Sequence, residues 1–385
     1  MHPTKQITLL ERISFLSIFF QLPFRALAAA FLSPFLKQWK KKRLNRVRVE
    51  AAVKYYVGRA SIRQLQWATG TSVDVYRGWA KANRVQPVIE DVGENAKLLW
   101  LTEKRTDRVL FYVHGGAYML TATDTMLAFC PRVHQELLKR DNSKDFGIVA
   151  LAYSLHPAKF PTQLDEISQA LTYLLSSGVK PENLILIGDS AGANVIVQLL
   201  VHTLHPFEGV TPSPLQRVTR GLLYPSEVTP PKRLGGVCLL SPWQSIDTPT
   251  PSYERNEVYD VLPATAVLNW GKVYLEGVPD SHLPWIKTIY CEPDLKEPWF
   301  AGLDEYLERI LITAGGKEVL LDDATGLYSA LKNLPNSKLD VRLDVEENGV
   351  HEDPIFDTSF PQKPRGGLGD ATMNIVNWVE EVFGF

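Results

Sequence analysis

Cysteine is scarce. Three residues, Cys130, Cys238 and Cys291, stand far apart in a chain of 385, an odd number at spacings that suit neither a disulfide framework nor a zinc ribbon. Net charge is almost absent: 41 Lys and Arg against 43 Asp and Glu leave a formal −2, which gives no support to nucleic-acid binding through bulk positive charge. Glycine and proline, at 25 and 26, are at ordinary levels, excluding collagen-like and low-complexity classes. No repeat at solenoid period is visible. No HExxH, paired CxxC, GxGxxG or Walker loop is found, so neither a metal nor an organic cofactor is implied. What is left is a globular composition, 45% hydrophobic and 22% charged, long enough for one large domain or two ordinary ones.

The first fifty residues differ from the rest. Residues 13–36 are almost wholly apolar, and the run behind them holds Lys37, Lys40, Lys41, Lys42, Arg43, Arg46 and Arg48, a membrane signature. A straight span would place Arg25 near its middle at about 2.5–3.5 kcal/mol, and Pro23 and Pro34 are expected to interrupt the helix. Glu11, Ser14, Ser17, Gln21 and Arg25 instead form one polar stripe against Phe15, Leu16, Phe19, Phe20 and Leu22, the pattern of a helix lying in the interface with the basic run on anionic head groups. Residues 13–48 are therefore expected to attach the chain to a membrane, the endoplasmic reticulum being the first candidate. Two other readings stay open. One is a signal peptide cleaved near Ala26 or Ala28, giving a secreted protein; the other is N-terminal helices folded over a cytoplasmic body.

Residues 51–87 are expected to form a helical cap or linker, and residues 88–385 alternate strands with helices. RVLFYV (108–113), GIVALAY (147–153), NLILIG (183–188), GGVCLLS (235–241) and RILITA (309–314) read as buried parallel strands. AKLLWLTE (96–103) and KLDVRLDV (338–345) add two more, while 164–177, 192–204 and 374–383 have helical apolar spacing. The expected class is α/β, a mostly parallel sheet flanked by helices. Two stretches interrupt the alternation: 206–231, with too many prolines for a regular element, and 246–305, rich in Trp, Tyr and Pro without clear periodicity. Both are expected to be lid or cap insertions over a site.

Gly188-Asp189-Ser190-Ala191-Gly192 sits between an apolar strand and an apolar helix, the context of a nucleophile elbow that lifts the Ser190 hydroxyl clear of the sheet. His114-Gly115-Gly116-Ala117 ends the strand 108–113. Its glycine N–H groups, from Gly115 and Gly116, are expected to join the amide of Ala191 in an oxyanion hole, each donor contributing about 3–4 kcal/mol in the transition state, with His114 positioning the loop. A base and an orienting acid should follow the serine in the order acid, then histidine. Of His202, His205, His282 and His351, only His351 ends a loop just after a strand. Glu318 comes first after the strand 309–314 and is the expected acid. Asp322 is the alternative, although the next helix would carry it away.

These residues resemble the hormone-sensitive-lipase branch of the α/β-hydrolases over 108–355. There HGGG supplies the oxyanion hole, GDSAG the nucleophile, D-x-L-x-D the acid and G-x-H the base, matching 114–117, 188–192, Glu318 to Asp322, and Gly349-Val350-His351. Tyr153, Leu155, Pro157, Phe160 and Pro161 match a further stretch, Y-x-L-x-P with F-P behind it. Ala117 replaces a third glycine and Glu318 the usual aspartate. Within the branch, the hydrophobic N-terminus and segments such as LLSPW are similar to fungal steryl acetyl hydrolases and related esterases. The resemblance implies an α/β-hydrolase fold and a serine esterase without cofactor, acting on a short-chain, for example acetyl, ester of a hydrophobic alcohol such as a sterol or secondary metabolite. Two rivals share the scaffold: a non-catalytic small-molecule receptor, as plant gibberellin receptors are, and an acyltransferase. Neither the oligomeric state nor a macromolecular partner is specified.

Overall fold

The structure, a computed structural model, describes residues 7–40, 42–219, 232–291, 298–361 and 367–385. Eight strands form one sheet: β1 Val88–Val92, β2 Ala96–Trp100, β3 Val109–Val113, β4 Gly147–Ala152, β5 Leu184–Asp189, β6 Gly236–Leu240, β7 Arg309–Gly315 and β8 Asp340–Glu346. Their order is β1-β2-β4-β3-β5-β6-β7-β8. β2 runs antiparallel to both β1 and β4, and every other pairing is parallel. Strands β3 to β6 are buried at every position because helices cover both faces, which is why they read as unbroken apolar runs.

The helices are α1 Leu9–Leu32, α2 Leu44–Arg59, α3 Ile62–Thr69, α4 Ser72–Asn83, α5 Asp124–Arg140, α6 Thr162–Ser176 and α7 Ser190–Leu204. Then come α8 Pro214–Thr219, α9 Pro251–Asn256, α10 Ala264–Leu275, α11 Leu283–Ile286, α12 Leu321–Lys332, α13 Asp353–Ser359 and α14 Asp370–Phe383. Val109, Phe111 and Val113 face one core with apolar residues of α6, α7 and α12. Leu110 and Tyr112 face the other, with residues of α5 and α14. This is the period-two alternation of a sheet between two helical layers.

Several expectations need correction. The stretch 246–305 contains the helices α9, α10 and α11 joined by turns, and α8 lies within 206–231, whose residues 220–231 are outside the described residues. Three of the prolines there start helices: Pro251 and Pro284 stand at first-turn positions and Pro214 opens α8, where no intrahelical N–H is required. Pro23 does not interrupt α1, which runs on to Leu32 and stops before Pro34. α5 and β1 were not foreseen. The first carries Pro131 in its interior, and the second is a charged edge strand, VIEDV.

The basic run also departs from expectation. Arg46 is buried and pairs with Glu50 and Asp353, and Lys42 pairs with Glu50 at 2.7 Å; neither faces head groups. Lys37, Lys40, Arg43 and Arg48 are exposed, and Lys41 lies outside the described residues.

Candidate active site

All four chemistry-bearing loops leave the carboxyl ends of parallel strands: HGGA after β3, the elbow after β5, Glu318 after β7 and His351 after β8. Ligands of open α/β sheets gather at this edge. Ser190 opens α7 at φ 50°, in the left-handed region, a backbone that costs a residue other than glycine some strain. The glycines around it are sterically required. A Cβ on Gly192 would lie 2.0 Å from the Val113 carbonyl oxygen, and one on Gly188 would lie 2.8 Å from the Gly192 carbonyl carbon. β3 and α7 therefore approach as closely as this turn allows.

Beyond β7, Glu318 is fully buried. Its Oε2 accepts the Ser241 hydroxyl at 2.6 Å and the Gly315 N–H at 3.0 Å, and lies 4.0 Å from His351 Nδ1. That last approach is longer than a hydrogen bond, as is common in hydrolytic sites before substrate closes them. Burial raises the Glu318 carboxyl well above its usual range and nearby Asp260 adds to this, opposed by Ser241 and Gly315. Burial lowers the His351 imidazole, opposed by Asp260, Asp189 and Asp323. Ser241, at the end of β6, joins the two loops: its oxygen accepts the Glu352 N–H at 3.1 Å while its hydroxyl serves Glu318. The next residues reach the elbow, where the Trp243 N–H donates to the Ser190 carbonyl at 3.2 Å.

The other histidines are occupied elsewhere. His202 accepts the Phe207 N–H and contacts the Thr211 carbonyl, His205 stacks on Trp299, and His282 packs against Phe160 and Phe207. Asp322 accepts the Ser252 N–H and pairs with Arg255, on α9, away from His351.

The oxyanion loop differs in one donor. Gly115, expected to point its N–H at substrate, donates it to Asp189 Oδ2 at 2.8 Å. The amides of Gly116 and Ala117 make no hydrogen bond to another described residue, and both residues have positive φ, 105° and 54°. The free pair on this loop is thus one residue further on, joined by the Ala191 amide in the first turn of α7. His114, the residue expected to position this loop, is buried against it. Its ring stacks on Tyr153 at 4.5 Å, and its Nδ1 contacts the Gly115 carbonyl at 2.7 Å while Nε2 faces the Ser72 hydroxyl of α4 at 3.4 Å. Burial pushes His114 down to about 4, so it stays neutral.

Sequence reasoning missed three buried carboxylates around His351. Asp189 accepts the Tyr112 hydroxyl at 2.6 Å and is hydrogen-bonded to Glu352. Glu352 Oε1 lies 3.3 Å from His351 Nε2, and burial pushes this carboxyl up to about 7. Burial and the Glu352 charge raise Asp189 as well, because two touching carboxylates do not both ionise readily. The third is Asp260. Its only sequence signal was position, in a stretch without periodicity. Among the described residues no cluster of three or more His, Cys, Asp and Glu is arranged to hold a metal ion. A groove of about 470 Å³ opens between α2, α3 and α10, lined by Val57, Ile62, Thr265 and Trp270 among others, and none of the residues around Ser190 borders it.

A family model described as the alpha/beta hydrolase fold matches residues 110–353. The chain is similar to an esterase of Acinetobacter venetianus, 26% identical over 56% of this chain and 59% of that protein. It is also similar to an acetyl-hydrolase of Streptomyces hygroscopicus, 28% identical over 60% of this chain and 64% of that protein. The matches thus span about three fifths of the length of these relatives. An esterase of the bacterial hormone-sensitive lipase family shares the fold, with a TM-score of 0.57, 22% identity, and coverage of 89% of this chain and 98% of that one. With the sheet order, the elbow and the family match in agreement, the chain belongs to the α/β-hydrolase fold family.

Proposed function

We propose that the protein is a serine hydrolase that cleaves short-chain, acetyl-type esters of hydrophobic alcohols through an acyl-enzyme on Ser190. The observation that carries this reading is that a serine at positive φ and an imidazole 4.0 Å from a buried carboxylate all follow the carboxyl ends of parallel strands in one sheet, with the oxyanion loop at the same edge. Ser190 Oγ attacks the ester carbonyl as His351 takes its proton. Glu318 orients the imidazole through Nδ1, and the amides of Gly116, Ala117 and Ala191 receive the oxyanion. His351 returns the proton to the departing alcohol, and water, deprotonated by the same imidazole, then releases the acid and restores Ser190.

Two observations support the narrower substrate reading. Tyr118, directly behind the oxyanion loop, stacks on Tyr274 at 3.9 Å and lies 6.3 Å from the ring of Trp243, all three buried; this aromatic cluster next to the elbow is read as bounding the acyl side of the site. One of the relatives is itself an acetyl-hydrolase. With p-nitrophenyl esters from acetyl to palmitoyl, turnover is expected to peak at two to four acyl carbons, about 10-fold or more above the long esters. A maximum at palmitoyl overturns the short-chain reading, and absence of turnover at every length overturns the hydrolase.

The same protein is read as resting on a membrane through α1. This helix is long and apolar enough to cross one, but it packs on the body through Phe15, Ile18 and Ala29 and leaves many of its other apolar residues exposed. Leu10, Phe20 and Phe31 are 71–78% exposed, while Gln21 accepts the Tyr55 hydroxyl at 2.7 Å and Arg25 covers the Tyr55 ring at 4.8 Å. A helix held to the body along one side with this much apolar surface exposed supports interfacial binding over spanning. Purified protein is expected to float with phosphatidylcholine liposomes, and the double change Phe20→Asp and Phe31→Asp to abolish flotation. Equal flotation of the two proteins contradicts the reading.

A further inference from the structure

We propose that Asp260 is a positioning residue of the ester-cleaving centre, fixing the separation of Glu318 and His351 and facing the imidazolium with a negative charge when it forms. The inference rests on the proposed roles of those two residues. α9 and the turn behind it form a hook on the acid loop, with anchors at every fourth residue. The Ser252 hydroxyl donates to the Val319 carbonyl at 2.6 Å and Asn256 Nδ2 to the Glu318 carbonyl at 2.8 Å. Asp260 Oδ2 accepts the Val319 N–H at 2.8 Å. Its other oxygen does something neither Ser252 nor Asn256 does: Oδ1 accepts the backbone N–H of His351 at 2.8 Å, as well as that of Val261 at 2.7 Å.

One carboxylate, 2% exposed, therefore ties the residue next to Glu318 to the main chain of His351, across two loops that leave different strands. Asp260 is not itself the orienting acid. Both its oxygens are turned to backbone amides, and the carboxylate atom nearest Nδ1 is Glu318 Oε2, at 4.0 Å. Burial raises the Asp260 carboxyl above its usual range, opposed by His351 and by these three amide donors, which favour the ionised form.

The charged neighbours fix the sign of the test. His351 is faced by Asp260, Asp189 and Asp323, with Glu318 and Glu352 against its ring nitrogens. Asp260 is faced by His351 and Glu318, and on the α2 side by Lys54. A base must be neutral to accept the serine proton, so activity is lost as pH falls through the pKa of His351. Burial holds that value below the usual histidine range, and Asp260 works against burial. The wild-type acid limb of kcat/KM should thus fall below pH 6.5, and removing the Asp260 charge should move it lower still.

The experiment is Asp260→Asn in the full chain, which keeps the shape, removes the charge and sets an amide NH2 against a backbone donor. With p-nitrophenyl acetate, kcat is expected to fall about 10- to 100-fold with KM within about twofold, and the acid limb to move to lower pH. Asn256→Ala, which removes a neighbouring anchor and leaves the charge, should lower Tm with the limb in its wild-type place. A limb unmoved in Asp260→Asn overturns the proposal, whether or not Tm falls. Should that variant fail to fold, Asp260→Glu decides: the charge on a longer arm should lower kcat with the limb in place, and wild-type kcat overturns the positioning role. Activity surviving in Ser190→Ala is a separate failure, that of the hydrolase centre itself.

Discussion

Ser190→Ala is expected to lower kcat/KM for p-nitrophenyl acetate by about 10⁴-fold or more, which is roughly 5.5 kcal/mol of transition-state stabilisation. The reason lies in what the change removes and what it leaves. Alanine tolerates the left-handed backbone at φ 50° no worse than serine, so the elbow keeps its shape. The amides of Gly116, Ala117 and Ala191 keep their directions, and His351 keeps its carboxylates. Only the atom that forms the covalent bond is lost. The residual rate should be what an oxyanion hole and a bound water supply, and Tm should stay near wild type. Activity within tenfold of wild type would mean that another group performs the attack.

Arg46→Ala should give the largest loss of stability, about 3–5 kcal/mol in urea unfolding. The Arg46 side chain is fully buried. Its Nε donates to Glu50 Oε1 at 2.7 Å, its Nη2 pairs with Asp353, and its guanidinium lies 4.9 Å from the centre of the Phe356 ring. Truncation leaves Asp353 buried without its cation and Glu50 with Lys42 alone. The effect should reach the chemistry, because Asp353 is two residues from His351 and its Oδ1 also accepts the Val350 N–H at 3.3 Å. Lower kcat should accompany the lost stability. Arg46→Lys, which keeps the charge, should lose less. A change below about 1 kcal/mol in Arg46→Ala would show that this cluster behaves as a surface pair.

The two effects also mark how far sequence reasoning reached. β3, β4, β5, β6 and β7 were legible because full burial leaves unbroken apolar runs between charged or glycine-rich ends. Ser190 was legible because the small residues its turn requires, Gly188 and Gly192, lie within two residues of it between an apolar strand and an apolar helix. Glu318 and His351 were reached through chain order and strand ends, since their meeting depends on the register of β7 with β8. The misplaced oxyanion donor has a similar cause: Gly115 is diverted by Asp189, 74 residues away, and no local pattern encodes that bond. Arg46 is the plainest case. In a run of lysines and arginines it reads as solvated surface, and only its partner 307 residues later accounts for its burial. Asp260 and Glu352 escaped for the same reason, as buried carboxylates held by backbone amides and by one another, without periodicity. α5 was hidden by Pro131, which the surrounding layer tolerates.

The central claim is that one hydroxyl, on Ser190, carries the acyl group. Intact-mass analysis of the full chain after treatment with a fluorophosphonate, followed by peptide mapping, tests it most directly. One adduct is expected, on the peptide containing Ser190, with ester turnover falling in step with its formation and with labelling slowed in His351→Ala. An adduct on another residue, or undiminished turnover in protein fully labelled at Ser190, would contradict the account.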